Sequence, residues 1–264
     1  MNFLDRLKIT LQKKAHALTE QIPMESVCNM EALRSAKIID SPFPHVIIDD
    51  IFTPEFYKQL CDYFDKRRAD GLFDEKTPGY FQKFTDQKEP YDGYFLSLKF
   101  TESAPTNFFF SNEWNLYFAK IFNRPVDETT TVAFHFHPIG NKTGWVHNDF
   151  ALRIFDRINI LPNKVITTPT NEANIPDNSP TRLVNRRAIT IIYYLNNIAE
   201  RDAGGETGLY ERTDNKTPKI LVTPKNNRLL AFEVSPTSFH AFQTNKTPRS
   251  TLTQWFHIDD AWYR

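Results

Sequence analysis

A histidine and an aspartate stand two residues apart in the segment Trp145-Val146-His147-Asn148-Asp149. The aromatic and β-branched residues around them predict a strand over Trp145–Phe150. Side chains two apart on a strand point to the same side, so an imidazole and a carboxylate would share one space. This pair suits a divalent metal, but a lone His-x-Asp is also compatible with a core histidine beside a turn residue.

Further residues along the chain give this pair a chemical context. His240 offers a second imidazole, and two histidines with one carboxylate leave adjacent coordination positions open, as iron(II) oxygenases require. Arg249 follows soon after, and a guanidinium inside a β-barrel is costly unless an anion such as a carboxylate meets it. Tyr194, Thr251 and Thr253 would add hydroxyl groups beside that anion if the strand register allows it.

Two other interpretations of the same residues stay open at this point. The ligand set also fits a zinc hydrolase with Glu206 as its base, although this interpretation assigns no role to Arg249 and Tyr194. The chain is also compatible with a jelly-roll binding module that keeps the fold without the chemistry, which predicts good folding without turnover.

The elements that must position these residues are mostly short strands. Eight runs of alternating or β-branched residues follow one another from about residue 130, separated by Gly, Asn and Pro turns, and this pattern predicts a sandwich or jelly-roll barrel. The predicted strands are Thr131–His137, Trp145–Phe150, Ala188–Leu195, Gly208–Tyr210, Lys219–Val222, Arg228–Val234, Ser238–Gln243 and Ser250–His257.

Helices are predicted ahead of the strands. Residues 3–22 carry apolar side chains at helical spacing before Pro23, which predicts a first helix. Thr53 and Pro54 are a cap residue and a first-turn residue, which predicts that a second helix begins there. A third helix is predicted near 112–122. The fold class is therefore α+β, mainly β, with N-terminal helices packed on a jelly-roll core.

The predicted domain organisation is a helical extension over 1–40 and a β domain over 41–264. Residues 151–186 interrupt the regular spacing of the predicted strands, and we interpret them as a long insertion or lid. Five arginines flank this segment and could meet an acidic substrate, although solvated surface charge is the commoner role; they are Arg153, Arg157, Arg182, Arg186 and Arg187.

Composition restricts the partners. The 264 residues are 40% hydrophobic, and 32 basic residues balance 32 acidic ones, so no nucleic-acid-binding field is expected. Two cysteines do not form a disulfide framework, and neither a signal peptide nor a membrane span is apparent, so we expect a cytoplasmic protein without a membrane partner. The sequence leaves the oligomeric state unknown.

The segment from Thr131 to Asp259 resembles the prolyl-hydroxylase-type branch of the iron(II)/2-oxoglutarate dioxygenases. The resembling pieces occur in order: the loop and strand Pro138 to Asp149, the core strand Thr190 to Asn196, the turn Gly204-Gly205-Glu206, the strand Pro224 to Phe232, and His240 followed by Arg249 to Trp255.

The resemblance implies a double-stranded β-helix and a hydroxylase that uses iron(II), 2-oxoglutarate and dioxygen, with ascorbate as an optional reductant. It implies His147, Asp149 and His240 as catalytic iron ligands, and Arg249 with Tyr194 as contacts of the 2-oxoglutarate carboxylate. His137 stands where related enzymes often have a tyrosine, and an imidazole can also donate a hydrogen bond. The implied substrate is an amino acid, a peptide or a protein residue; a small-molecule tailoring hydroxylase is the alternative.

Overall fold

The computed structural model describes residues 22–84, 92–99, 103–127, 129–156, 178–180, 182–198 and 202–263. The predicted helix over 3–22 lies outside these residues except for Ile22. In the described part of the chain the helices are α1 (Met24–Val27), α2 (Met30–Ser35), α3 (Pro54–Ala69) and α4 (Asn112–Ile121), and the strands are β1 (His45–Ile48), β2 (Leu72–Phe73), β3 (Phe81–Lys83), β4 (Tyr94–Leu98), β5 (Thr130–His137), β6 (Leu152–Asp156), β7 (Arg182–Tyr194), β8 (Thr207–Tyr210), β9 (Ile220–Val222), β10 (Leu229–Glu233), β11 (Phe239–Phe242) and β12 (Arg249–Asp259).

The strands form a large sheet and a small one. The large sheet runs β1-β10-β7-β12-β5-β4-β3-β2, with β6 paired to the beginning of β7, and the small sheet runs β11-β8-β9. All pairings are antiparallel except that of β2 with β3. The inner faces of the two sheets pack together through Ile192, Leu230 and Phe232 of the large sheet and Leu209 and Val222 of the small one. The mainly β prediction is confirmed.

The other face of the large sheet is covered by α3 and α4. Thr53 caps α3 by accepting a hydrogen bond from the Phe56 N–H at 3.3 Å, as its sequence predicts. Phe64 of α3 packs edge-on against Phe134 of β5, with ring centroids 5.2 Å apart. The helix predicted near 112–122 is also confirmed, and its Trp114 donates to Gln254 of β12 at 2.9 Å. The contact with Gln254 shows that this face of β12 is turned toward the helices.

The predicted strand Trp145–Phe150 is wrong. Only His147 makes a ladder contact, an isolated bridge to His240, and the chain turns immediately afterwards. The turn forms because the Asn148 side chain accepts a hydrogen bond from the Phe150 N–H at 3.1 Å, and short polar side chains of this kind compete with sheet hydrogen bonds.

The region read as an insertion, 151–186, contributes strands at both ends. Leu152–Asp156 pairs with Arg182–Arg186, so β7 begins before the predicted Ala188. The early part of β7 was missed because it mixes three arginines and Asn185 with Leu183 and Val184, and only Asn185 among them is buried. Residues 157–177 and 181 fall outside the described ranges, and the division at residue 40 stays a prediction.

No helix in the described ranges is both long enough and apolar enough to cross a membrane.

Candidate metal and carboxylate site

The three side chains expected to hold a metal converge on one point. One ligand atom from each of His147, Asp149 and His240 lies within 4.8 Å of the others. The two imidazole rings have centroids 4.4 Å apart, and His240 Nε2 is 3.8 Å from Asp149 Oδ2. Asp149 and His240 are each 6% exposed. Two imidazoles and one buried carboxylate form a set that suits iron(II) and also zinc.

Backbone pairing brings the two histidines together. The His147 N–H donates to the His240 carbonyl at 3.0 Å, and the His240 N–H donates back at 2.8 Å. Each ring places Nδ1 near a carbonyl, that of Trp145 at 3.0 Å for His147 and that of Ser238 at 3.4 Å for His240. Because a carbonyl only accepts, Nδ1 carries the proton and Nε2 is left as the metal donor.

His240 is held in the neutral form that metal binding needs. Burial, and then the nearby His147, lowers the pKa of His240 to about 4. A neutral imidazole offers a lone pair to a cation without first losing a proton.

The Asp149 carboxylate accepts three hydrogen bonds. Arg187 Nη1 donates to Oδ1 at 2.8 Å, while the Thr190 hydroxyl and Trp255 Nε1 donate to Oδ2 at 2.8 Å and 2.7 Å. Burial by itself raises the pKa of Asp149, but Arg187, His240 and the other contacts outweigh it and hold the pKa below its usual range. The carboxylate is therefore ionised and ready to bind a cation.

A β-bulge brings Arg187 to this carboxylate. The register between β12 and β7 shifts where Phe256 pairs with Ile189 but His257 pairs with Arg187, so Ala188 is an extra residue. In a regular strand Arg187 and Thr190, which are three residues apart, would point to opposite faces; the bulge brings both to the same face. The bulge turns the guanidinium inward, where it lies 4.2 Å from the ring centre of Trp255.

Arg249 is buried in the same interior. It is 5% exposed, its Nη2 donates to the Thr207 hydroxyl at 2.9 Å, and the Tyr194 hydroxyl lies 2.7 Å from the same Thr207 oxygen. Its Nε has no hydrogen-bond partner, and no carboxylate among the described residues forms an ion pair with it. A buried guanidinium in this state is a binding group for an anion.

The remaining predicted contacts lie on the same face. Thr251 Oγ1 is buried without a hydrogen-bond partner among the described residues, and Thr253 Oγ1 is 3.4 Å from His135 Nδ1. The His137 ring stacks on Phe242 with centroids 4.6 Å apart, and burial followed by the charge of Arg249 keeps its pKa well below the ordinary value. His137 is therefore neutral beside the arginine.

One cavity of about 650 Å³ connects the metal-ligand cluster and Arg249. His147, Asp149 and His240 line it together with Arg249, and Glu206 is not among its lining residues. The zinc-hydrolase interpretation therefore has no base at that position.

The sequence interpretation missed several side chains of this cavity. Every second side chain of a strand points to the same face. Trp255 is six residues after Arg249 on β12, so this alternation would have identified it as a cavity residue. Thr190 is four residues before Tyr194 on β7 and would have been identified in the same way. His135 stands two residues before His137 on β5, so the same alternation would have identified it. Thr207 lies on the small sheet, and its place depends on how the two sheets meet.

Known proteins share this domain. Residues 170–257 match the model of the 2OG-Fe(II) oxygenase superfamily, a span that includes His240 and Arg249. Over that span the chain is similar to this superfamily. A 77-residue stretch of the chain is 38% identical to prolyl 3-hydroxylase OGFOD1 of Mus musculus, and covers 27% of this chain but only 14% of the mouse protein.

A solved structure supports the fold. A Pseudomonas putida prolyl-4-hydroxylase aligns over 86% of this chain and 95% of its own, with a TM-score of 0.54 and 14% sequence identity. At this identity the likeness establishes the fold alone. It confirms the predicted double-stranded β-helix, and the family match confirms iron(II) and 2-oxoglutarate as the cofactors.

Proposed function

We propose that this chain is an iron(II)- and 2-oxoglutarate-dependent dioxygenase that hydroxylates a C–H bond of a prolyl residue in a peptide or protein. The observation that carries the proposal is the single cavity lined by His147, Asp149 and His240 and by a buried Arg249 without a carboxylate partner among the described residues. The mouse relative is a prolyl 3-hydroxylase and the Pseudomonas protein of the same fold is a prolyl-4-hydroxylase, which supports this substrate class.

The metal would be held by His147 Nε2, His240 Nε2 and the Asp149 carboxylate. Both imidazoles are oriented by backbone carbonyls, and the carboxylate is ionised, so the donor set is prepared before a cation arrives. When bound, iron(II) with 2-oxoglutarate and dioxygen supplies oxidative decarboxylation to succinate and the transfer of one oxygen atom to a C–H bond.

Arg249 would hold the far carboxylate of 2-oxoglutarate. The Thr207 hydroxyl accepts a hydrogen bond from one arm of the guanidinium, and the ring centroids of Tyr194 and Phe242 lie 5.3 Å and 5.2 Å from its central carbon. These contacts orient a planar fork that matches a carboxylate, in a low-dielectric setting where the ion pair is strong. Thr251 follows Arg249 on the same face of β12, but it is not among the residues that line the cavity, so its predicted contact with the co-substrate is not part of this proposal.

The other predicted residues shape the pocket around the co-substrate. Thr253 and its neighbour His135 lie on the wall between Arg249 and Trp255, and neutral His137 packs on Phe242. The wall around Arg249 is neutral, and the other arginines that line the cavity are Arg153 and Arg187, of which Arg187 pairs with Asp149. A buried cation in a neutral wall favours an anionic ligand over an uncharged one.

Aromatic side chains surround the access to the cavity. Trp145 is 48% exposed, and Phe84 and Phe95 stack on each other with centroids 5.1 Å apart. Flat rings of this kind, exposed at Trp145 and half-buried at Phe84 and Phe95, suit a ring such as that of proline and exclude water from the reacting bond. A free amino acid or another small molecule is the alternative substrate.

The test is turnover of purified protein with iron(II), ascorbate and 2-oxoglutarate. We expect succinate to form, and we expect a proline-containing peptide in a mixed library to gain the mass of one oxygen while free amino acids do not. Arg249→Ala should abolish both signals. Arg212→Ala is the matched control, because Arg212 is exposed and pairs only with the equally exposed Asp214. Absence of succinate from folded wild-type protein refutes the oxygenase, and oxidation of free amino acids alone refutes the peptide substrate.

A further inference from the structure

The Asp149 carboxylate is more heavily constrained than the two histidines beside it. An ionised carboxylate has about four lone-pair positions, and three of them are occupied here by Arg187, Thr190 and Trp255. One position is left for a metal. Three donors from two neighbouring strands also oppose rotation of the carboxylate about its bond to the chain.

The three donors support one another. The Arg187 guanidinium stacks on the Trp255 ring, and Thr190 pairs in register with Trp255 across β7 and β12. Thr190 and Trp255 are anchored in the large sheet, and the bulge at Ala188 adds Arg187 to them. Asp149 itself lies outside any helix or strand.

We infer that Arg187, Thr190 and Trp255 are positioning residues that hold the Asp149 carboxylate in its metal-binding orientation. This inference rests on the proposed function, because it assumes that the site takes a divalent metal. None of the three needs to touch the metal or the substrate. Loss of a hydrogen-bond partner of a metal ligand typically weakens metal binding by about 10- to 100-fold.

Thr190 gives the sharpest test, since its hydroxyl and its methyl group can be removed separately. Thr190 is 1% exposed, so both groups are packed. Thr190→Val keeps the shape and removes the hydrogen bond, while Thr190→Ser keeps the hydrogen bond and removes the methyl group. A residue that only fills space would tolerate valine better than serine, whereas a positioning residue requires the reverse.

The experiment measures Mn(II) binding to metal-free protein from the loss of the free-ion electron paramagnetic resonance signal. We expect Thr190→Val to weaken binding about tenfold and Thr190→Ser to bind within about twofold of wild type. Trp255→Phe, which keeps an aromatic ring but lacks the N–H donor, should also weaken binding about tenfold. Thr131→Val is the matched control, because Thr131 lines the same cavity without bonding to Asp149, and it should bind like wild type.

The outcomes separate this inference from the proposed function. Wild-type affinity in Thr190→Val and Trp255→Phe, or weakening in Thr190→Ser alone, overturns the positioning role while leaving the oxygenase intact. Failure of the folded wild-type protein to bind Mn(II) overturns both. Circular dichroism of each variant shows that the fold is retained during the comparison.

Discussion

Replacing Arg249 with lysine tests how the cavity recognises its co-substrate. Lysine keeps the positive charge but loses the planar fork, so it can donate one directed hydrogen bond where the guanidinium donates two. Thr207 already takes one N–H of Arg249, and Nε is without a partner. A hydrogen bond to a charged group contributes roughly 1.5–3 kcal/mol, so losing one weakens 2-oxoglutarate binding about 10- to 150-fold.

Calorimetric titration of 2-oxoglutarate into Mn(II)-loaded protein measures this change. Mn(II) affinity should be unchanged in Arg249→Lys, because the metal ligands lie elsewhere in the cavity, and this shows that the site is intact. Arg212→Lys, on the surface, is the control and should bind 2-oxoglutarate like wild type. A co-substrate affinity of Arg249→Lys within twofold of wild type refutes the assigned carboxylate anchor.

Three further changes have expected outcomes. His147→Ala should lose Mn(II) binding in an equilibrium dialysis assay while keeping its circular dichroism spectrum; retained stoichiometric metal contradicts the ligand assignment. Gly204→Ala should lower the free energy of unfolding in urea by roughly 2–6 kcal/mol, since a Cβ at φ +73° would meet the Thr244 carbonyl at 2.2 Å; a loss below about 1 kcal/mol contradicts this. Burial lowers the pKa of His257 to about 3, so the unfolded chain binds a proton that the folded chain does not, and stability falls as pH drops below the ordinary histidine value. Wild-type protein loses unfolding free energy between about pH 5.5 and 4.5, and His257→Asn should make that loss smaller by about 1.4 kcal/mol. Urea titrations at both pH values measure it, and the same loss in variant and wild type contradicts the expectation.

The chemistry-bearing residues were predictable because their types are rare inside a barrel. Two histidines, one aspartate and one arginine that meet in the interior of a barrel have few physical reasons to do so other than a shared ligand. The sequence order and spacing of His147, Asp149, His240 and Arg249 therefore predicted a convergence that the structure shows.

The residues that support this cluster were less predictable, because they depend on backbone irregularities. Arg187 reaches Asp149 only through the extra residue in β7, and no periodicity announces a bulge. His147 and Asp149 share one space without the predicted strand, because a single bridge to His240 and the turn at Asn148 position them instead. Local patterns report strands well, but they do not report where a strand is interrupted.

Diffraction from crystals grown without oxygen with Mn(II) and 2-oxoglutarate tests the central assignment most directly. We expect an anomalous peak bonded to His147, Asp149 and His240, with the far carboxylate of 2-oxoglutarate on Arg249. A peak bonded to other side chains, or 2-oxoglutarate bound away from Arg249, contradicts it.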